Sequence, residues 1–104
     1  MNRRQRFHRA ALEELLHAAD VYNRERAGLG DELVEAVDAI LNVAATEAVP
    51  GTTLLDNERP SLRRLLLARF PYEIVVMFDD NDLKVVAIAH LRRRPHYWLT
   101  RVDE

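Results

Sequence analysis

The sequence predicts an α+β fold: an N-terminal strand, a two-helix hairpin and then a three-stranded antiparallel β-meander. Two helical stripes of apolar residues sit back to back around a Gly-Leu-Gly, and three apolar, strand-like runs follow them, the first punctuated by arginine. Strands gathered after helices favour a helical hairpin laid over one face of a sheet. NRRQRFHRA at the start is basic, with Phe7 its large apolar residue, and suits an edge strand. Leu12, Leu15, Leu16, Ala19 and Tyr22 then recur at helical spacing, with Glu13, Glu14, Asp20 and Arg24 between them. That pattern predicts an amphipathic helix of about four to five turns. Gly28-Leu29-Gly30 ends it, because glycine accepts the left-handed conformation beyond a helix C-terminus. Asp31 and Glu32 favour a new helix N-terminus, and Leu33, Val37, Ile40, Leu41 and Ala44 form its apolar stripe. Pro50-Gly51 breaks the pattern, and Gly51 to Pro60 reads as loop. LRRLLLARF, Pro71 and YEIVVMF come next. Asp79-Asp80-Asn81-Asp82 then reads as a four-residue turn joining YEIVVMF to LKVVAIA in a β-hairpin.

The 104 residues suit a single domain, 1–104. No apolar run approaches the ~18–20 residues of a membrane span, and no apolar core follows the basic start as in a signal peptide. Cysteine is absent, which removes disulfides, thiolate metal sites and cysteine nucleophiles and fits a reducing, cytoplasmic setting. The net charge of −2 hides an asymmetry. Before Pro60 seven arginines face eleven carboxylates; from Pro60 to Arg101 eight cations face four. The basic half, not the total, is therefore the part suited to an anionic partner. His8, His17, His90 and His96 have no ligand spacing, so neither a metal nor another cofactor is expected.

The basic charge culminates in AIAHLRRRPHYWLTR, Ala87 to Arg101. Metal-free phosphodiester cleavage needs a base, a cation for the phosphorane charge and an acid for the leaving oxygen. His90, Arg92, Arg93, Arg94, Tyr97 and Arg101 are suitable types, and Arg64 and Arg69 lie on the run before Pro71. The residues alone leave alternatives open. His90 is either a base or a hydrogen-bonded structural histidine. Arg92-Arg93-Arg94 is either an anion patch or a solvated run. Tyr97 and Trp98 either stack on a base or pack against the helical hairpin. Arg63 and Arg64, being adjacent, point to opposite faces of a strand, so one of them at most serves such a site.

FHRAALEELLHAADVYNRERAGLGDEL, RRLLLARFPYEIVVMF and VVAIAHLRRRPHYWLTR together resemble the RelE/ParE toxin superfamily, in particular its plasmid stabilization branch. The similarity runs from about Phe7 to Arg101 and rests on GLG, FPY and H-x-R-R-x-P-x-Y-W in that order. The resemblance implies a toxin of a type II toxin–antitoxin system with an antitoxin encoded in the same operon. It implies growth inhibition by ribosome-dependent mRNA cleavage, as by RelE-type members, or by non-catalytic inhibition of DNA gyrase, as by ParE-type members. A non-toxic, antitoxin-binding member and a homo-oligomer or toxin–antitoxin heterotetramer are further expectations. On the nuclease reading Arg64, His90, Arg93 and Tyr97 are the catalytic candidates, with Arg69, Arg92, Arg94 and Arg101 binding the anion. Two positions depart from the nuclease pattern: Glu73 stands where an arginine follows the aromatic of the third strand, and Leu66 replaces a second cation.

Overall fold

The computed structural model describes residues 2–46, 52–53 and 61–104. β1 (Arg4–Phe7) leads into α1 (Arg9–Glu25) and α2 (Leu29–Thr46). β2 (Thr52–Thr53), β3 (Leu62–Leu66), β4 (Tyr72–Phe78) and β5 (Asp82–His90) follow, and a short 3₁₀ helix covers Leu99–Asp103. The α+β fold expected from the sequence is observed. β3, β4 and β5 form the antiparallel meander, and the sheet order is β1-β5-β4-β3-β2. β1 pairs parallel with β5, Arg4 opposite Asp82 and Phe7 opposite Val85, so the sheet as a whole is mixed. Hydropathy sets strand faces but not strand direction, which is why this pairing is absent from the pattern.

Three boundaries differ from expectation. The stretch read as loop holds β2, paired antiparallel with β3; residues 50, 51 and 54–60 lie outside the described residues. β3 stops at Leu66, and Phe70 instead buries its ring in the core from the following turn. The hairpin loop has three residues, because Asp82 is already in β5. Asp79 closes that loop with its carboxylate, which accepts from the N–H groups of Asn81 (2.8 Å) and Asp82 (2.6 Å).

The helical hairpin packs on one face of the sheet. Ala11, Leu15 and Ala18 of α1 and Leu33, Val37, Leu41 and Ala44 of α2 meet Ile74, Val76, Leu83, Val85 and Ile88. The α1 stripe is rotated from the expected one. Ala11 and Ala18 face inward, while Leu12 and Leu16 remain 42% and 58% exposed. Small alanines let the helix axis approach the sheet, and Leu15 fills the space between them. The two glycines between the helices serve different ends. Gly28 adopts φ 92°, whereas Gly30 lies inside α2, against α1, where a Cβ would stand 1.9 Å from the Ala19 carbonyl oxygen. The Asn23 side chain ties the turn down by accepting from both N–H groups, at 3.1 and 2.7 Å.

The opposite face is covered too. Leu62, Val75, Val86, Ala87 and Ala89 pack with Trp98 and Val102 in a second apolar cluster. Trp98 is only 2% exposed, so it is a core residue as one sequence reading held, but against the sheet rather than the helical hairpin. β5 is therefore buried on both faces, which accounts for the unbroken run from Val85 to Ala89.

Candidate functional site

The chain leaves β5 at His90, reverses through an arginine-rich turn and returns over the second face as the 3₁₀ helix. The Arg93 N–H donates to the His90 carbonyl at 2.9 Å, and His96 takes the left-handed conformation, φ 62°, uncommon for a side chain of its size. Between this turn and β3–β4 lies an open cleft of about 240 Å³, lined by Arg64, Glu73, His90, Arg93, Arg94 and His96. The cleft thus gathers Arg64, His90, Arg93 and Tyr97, which sequence reasoning grouped as one site.

Their partners decide what they are able to do. Arg64 Nε lies 2.7 Å from Glu73 Oε2, so the carboxylate that departs from the nuclease pattern neutralises the nearest strand cation. That Nε is buried and lacks hydrogen-bond alignment, leaving the contact electrostatic. His90 packs edge-on against Tyr72, ring centres 5.0 Å apart, and its Nδ1 accepts from the Arg92 N–H at 3.0 Å. One ring nitrogen of His90 is thereby committed to the backbone of the turn.

Tyr97 is engaged more firmly. Its hydroxyl donates to Glu14 Oε2 at 2.7 Å, and the Arg93 guanidinium stacks 3.9 Å from its ring centre. Burial, then the hydrogen bond and charge of Glu14, push the phenol well above its ordinary value against the opposing guanidiniums of Arg93 and Arg101. Tyr97 is therefore a neutral donor at physiological pH. Arg101 grips the same carboxylate through both terminal nitrogens, at 2.9 and 3.0 Å, and donates to the Val86 carbonyl at 3.2 Å. The hydrogen bond to Glu14 leads the effects that hold its guanidinium protonated.

Glu14 completes the set by accepting from the Ile88 N–H at 3.1 Å. β1 ends at Phe7, opposite Val85, so the β5 edge beyond it has no strand partner there. Val86 is the extra residue of a bulge, skipped between the pairs Val76–Val85 and Val75–Ala87. Glu14 and Arg101 take the Ile88 N–H and the Val86 carbonyl in place of a neighbouring backbone.

The other cations are dispersed. Arg69 pairs with Glu32 at 2.9 Å and stacks on Phe70, in a cluster with Arg26 outside the cleft. Arg92 and Arg94 are exposed, and no ion pair engages Arg92, Arg93 or Arg94 among the described residues. His8 caps α1, its Nδ1 accepting from the Ala10 N–H at 3.0 Å, and its Nε2 meets Glu104. Glu14 was missed by the sequence reading, which set it only among the charged residues between the apolar positions of the helix. The signal was its setting among Ala10, Ala11 and Ala18, three and four residues away, small side chains that leave its carboxylate room to reach the β5 edge.

No protein-family model matches the chain, and no curated protein matches it either. Among solved structures, a chain of the chromosomal ParDE toxin–antitoxin system from P. aeruginosa is similar, with a TM-score of 0.62 and 22% identity. The match covers 85% of this chain and 95% of that one. The present chain has the α+β fold of that ParDE component.

Proposed function

We propose that this chain is the toxin of a type II toxin–antitoxin pair and that it inhibits DNA gyrase by binding rather than by cutting mRNA. Support for the toxin role comes from the fold shared with a ParDE component, together with the GLG, FPY and H-x-R-R-x-P-x-Y-W resemblance. One observation favours binding over cleavage: two of the four groups a nuclease would use, Arg64 and Tyr97, and the anion-binding candidate Arg101 are already held by carboxylates. Glu14 occupies Tyr97 and Arg101, and Glu73 occupies Arg64. What stays exposed is cationic, Arg92 to Arg94, a surface suited to an acidic partner.

The antitoxin, encoded in the same operon on plasmid or chromosome, covers the toxin in the cytoplasm. An apolar groove of about 330 Å³ between α1 and α2, flanked by Leu12, Leu16 and Val34 with Glu35 and Asp38 at its rim, suits one of its helical or extended segments. The resulting assembly is a heterotetramer or a smaller complex.

The deciding experiment assays purified protein on gyrase supercoiling and on mRNA in programmed ribosomes. Blocked supercoiling with intact mRNA is the expected result. The competing reading, mRNA cleavage, draws on the convergence of Arg64, His90, Arg93 and Tyr97 on one cleft. Codon-positioned cuts with normal supercoiling would replace the binding reading with it. Antitoxin binding with neither effect would make the chain an inactive member.

A further inference from the structure

We propose that Glu14 is a positioning residue for the cleft: acting through Tyr97, it sets where the Arg93 guanidinium stands. The inference rests on the reading above that the C-terminal cleft meets the target. Glu14 lies on α1, outside the cleft lining, yet its Oε2 fixes the Tyr97 hydroxyl at 2.7 Å. The ring so fixed carries Arg93 on its face at 3.9 Å. The carboxylate is itself engaged on both oxygens. The Arg101 fork and the Ile88 N–H hold it, and its side chain is 17% exposed.

Closing the β5 edge does not need the tyrosine, since Glu14 reaches Ile88 directly and Arg101 reaches Val86 directly. The Tyr97 hydroxyl joins this layer to the cleft, beside the packing of its ring on the Arg101 guanidinium and the second apolar cluster. Arg93 has particular need of it. Its turn runs through six exposed residues, Leu91 to His96, and a free arginine loses much rotamer freedom when a partner captures it. A guanidinium already stacked on a fixed ring presents its donors with less of that loss.

The test has two independent readouts on Glu14→Gln, Glu14→Ala, Tyr97→Phe, Arg93→Ala and the Glu14→Ala/Arg93→Ala pair. The first is the NMR shift of the Arg93 side-chain protons, displaced by the Tyr97 ring current in the parent chain. Loss of that displacement in Glu14→Ala and in Tyr97→Phe, with Trp98 fluorescence unchanged, is expected, whereas Glu14→Gln, whose amide oxygen still accepts from the Tyr97 hydroxyl, should keep part of it. Tyr97→Phe leaves the Glu14–Arg101–Ile88 contacts intact. Retention of the full displacement in Glu14→Ala and Tyr97→Phe overturns the proposal. The second readout is affinity for gyrase. Glu14→Ala should weaken it by roughly 2–30-fold, the range of one cation–π contact, and should have no further effect where Arg93 is already alanine. Equal weakening in both backgrounds would make Glu14 merely structural. Absence of gyrase binding by the parent chain would overturn the proposed function, while the Arg93 shift still decides the role of Glu14.

Discussion

Both oxygens of the Glu14 carboxylate are engaged, by the Arg101 fork, the Tyr97 hydroxyl and the Ile88 N–H. Removing either charged partner strands the other in a site where each side chain is about one-sixth exposed, 17% and 16%. Arg101→Ala is therefore expected to cost about 2–3 kcal/mol, below the range for fully buried pairs, read as a shift in urea midpoint. Arg64→Ala should cost less, since Arg64 is 38% exposed in its pair with Glu73. The tyrosines make a pH prediction. Burial leads the causes that hold the phenols of Tyr97, Tyr72 and Tyr22 above their ordinary value. The folded chain thus keeps these protons more tightly than the unfolded chain does. That stabilisation is complete below about pH 10 and is lost as pH rises through the folded values. In Tyr97→Phe the urea midpoint should fall less steeply between about pH 9 and about pH 11; an unchanged slope would count against the raised phenol. On the acid side, hydrogen bonds from Arg69 to Glu32 and from the Asp82 and Asn81 N–H groups to Asp79 lower both carboxyls. Their stabilisation is present above the ordinary carboxyl range and fades as pH falls through the folded values.

At the scale of elements, the junction between α1 and α2 separates two kinds of glycine. Gly28→Ala meets no atom within 4 Å and bears only the positive φ, so a loss of about 1 kcal/mol in thermal or urea unfolding is expected. Gly30→Ala drives a methyl into the Ala19 carbonyl and should cost well over twice as much, because backbone must move. Similar losses would mean that the helices separate easily. Much of this element structure was legible in the sequence. The 3.6 period gave both helices, and DDND with its β-branched flanks gave the hairpin. The parallel β1–β5 pair was not legible, since RQRF carries no mark of its distant partner. Nor was the inward turn of Ala11 and Ala18, because alanine is a weak hydropathy signal beside Leu12 and Leu16. At the cleft, the family resemblance grouped Arg64, His90, Arg93 and Tyr97, which line one cleft. Neither the resemblance nor the residue types could show that Tyr97 and Arg101 converge on a carboxylate more than eighty positions earlier.

For the whole molecule, the two apolar clusters share β4 and β5, with Ile74, Val76 and Val85 on one side and Val75, Val86 and Ala87 on the other. Loss of one cluster should therefore weaken the other. Trp98→Ala is expected to remove about 3–5 kcal/mol, a large share of the ~5–15 kcal/mol typical of a folded domain. In the parent chain Trp98 fluorescence and far-UV circular dichroism should share one urea midpoint; separate midpoints would mean that the clusters melt independently. β1 and β5 tie the earliest strand to the latest, Arg4 facing Asp82 across 78 positions. At ~5–20 residues per second a ribosome needs roughly 4–16 s to make the second partner after the first. Through that interval β1 has no β5 edge to join and Glu14 no Arg101 to grip. The cleft consequently forms only after Arg101 has been made. Whatever binds the cleft meets it only after the last strand and the turn beyond it have been made, never on the earlier part of the chain.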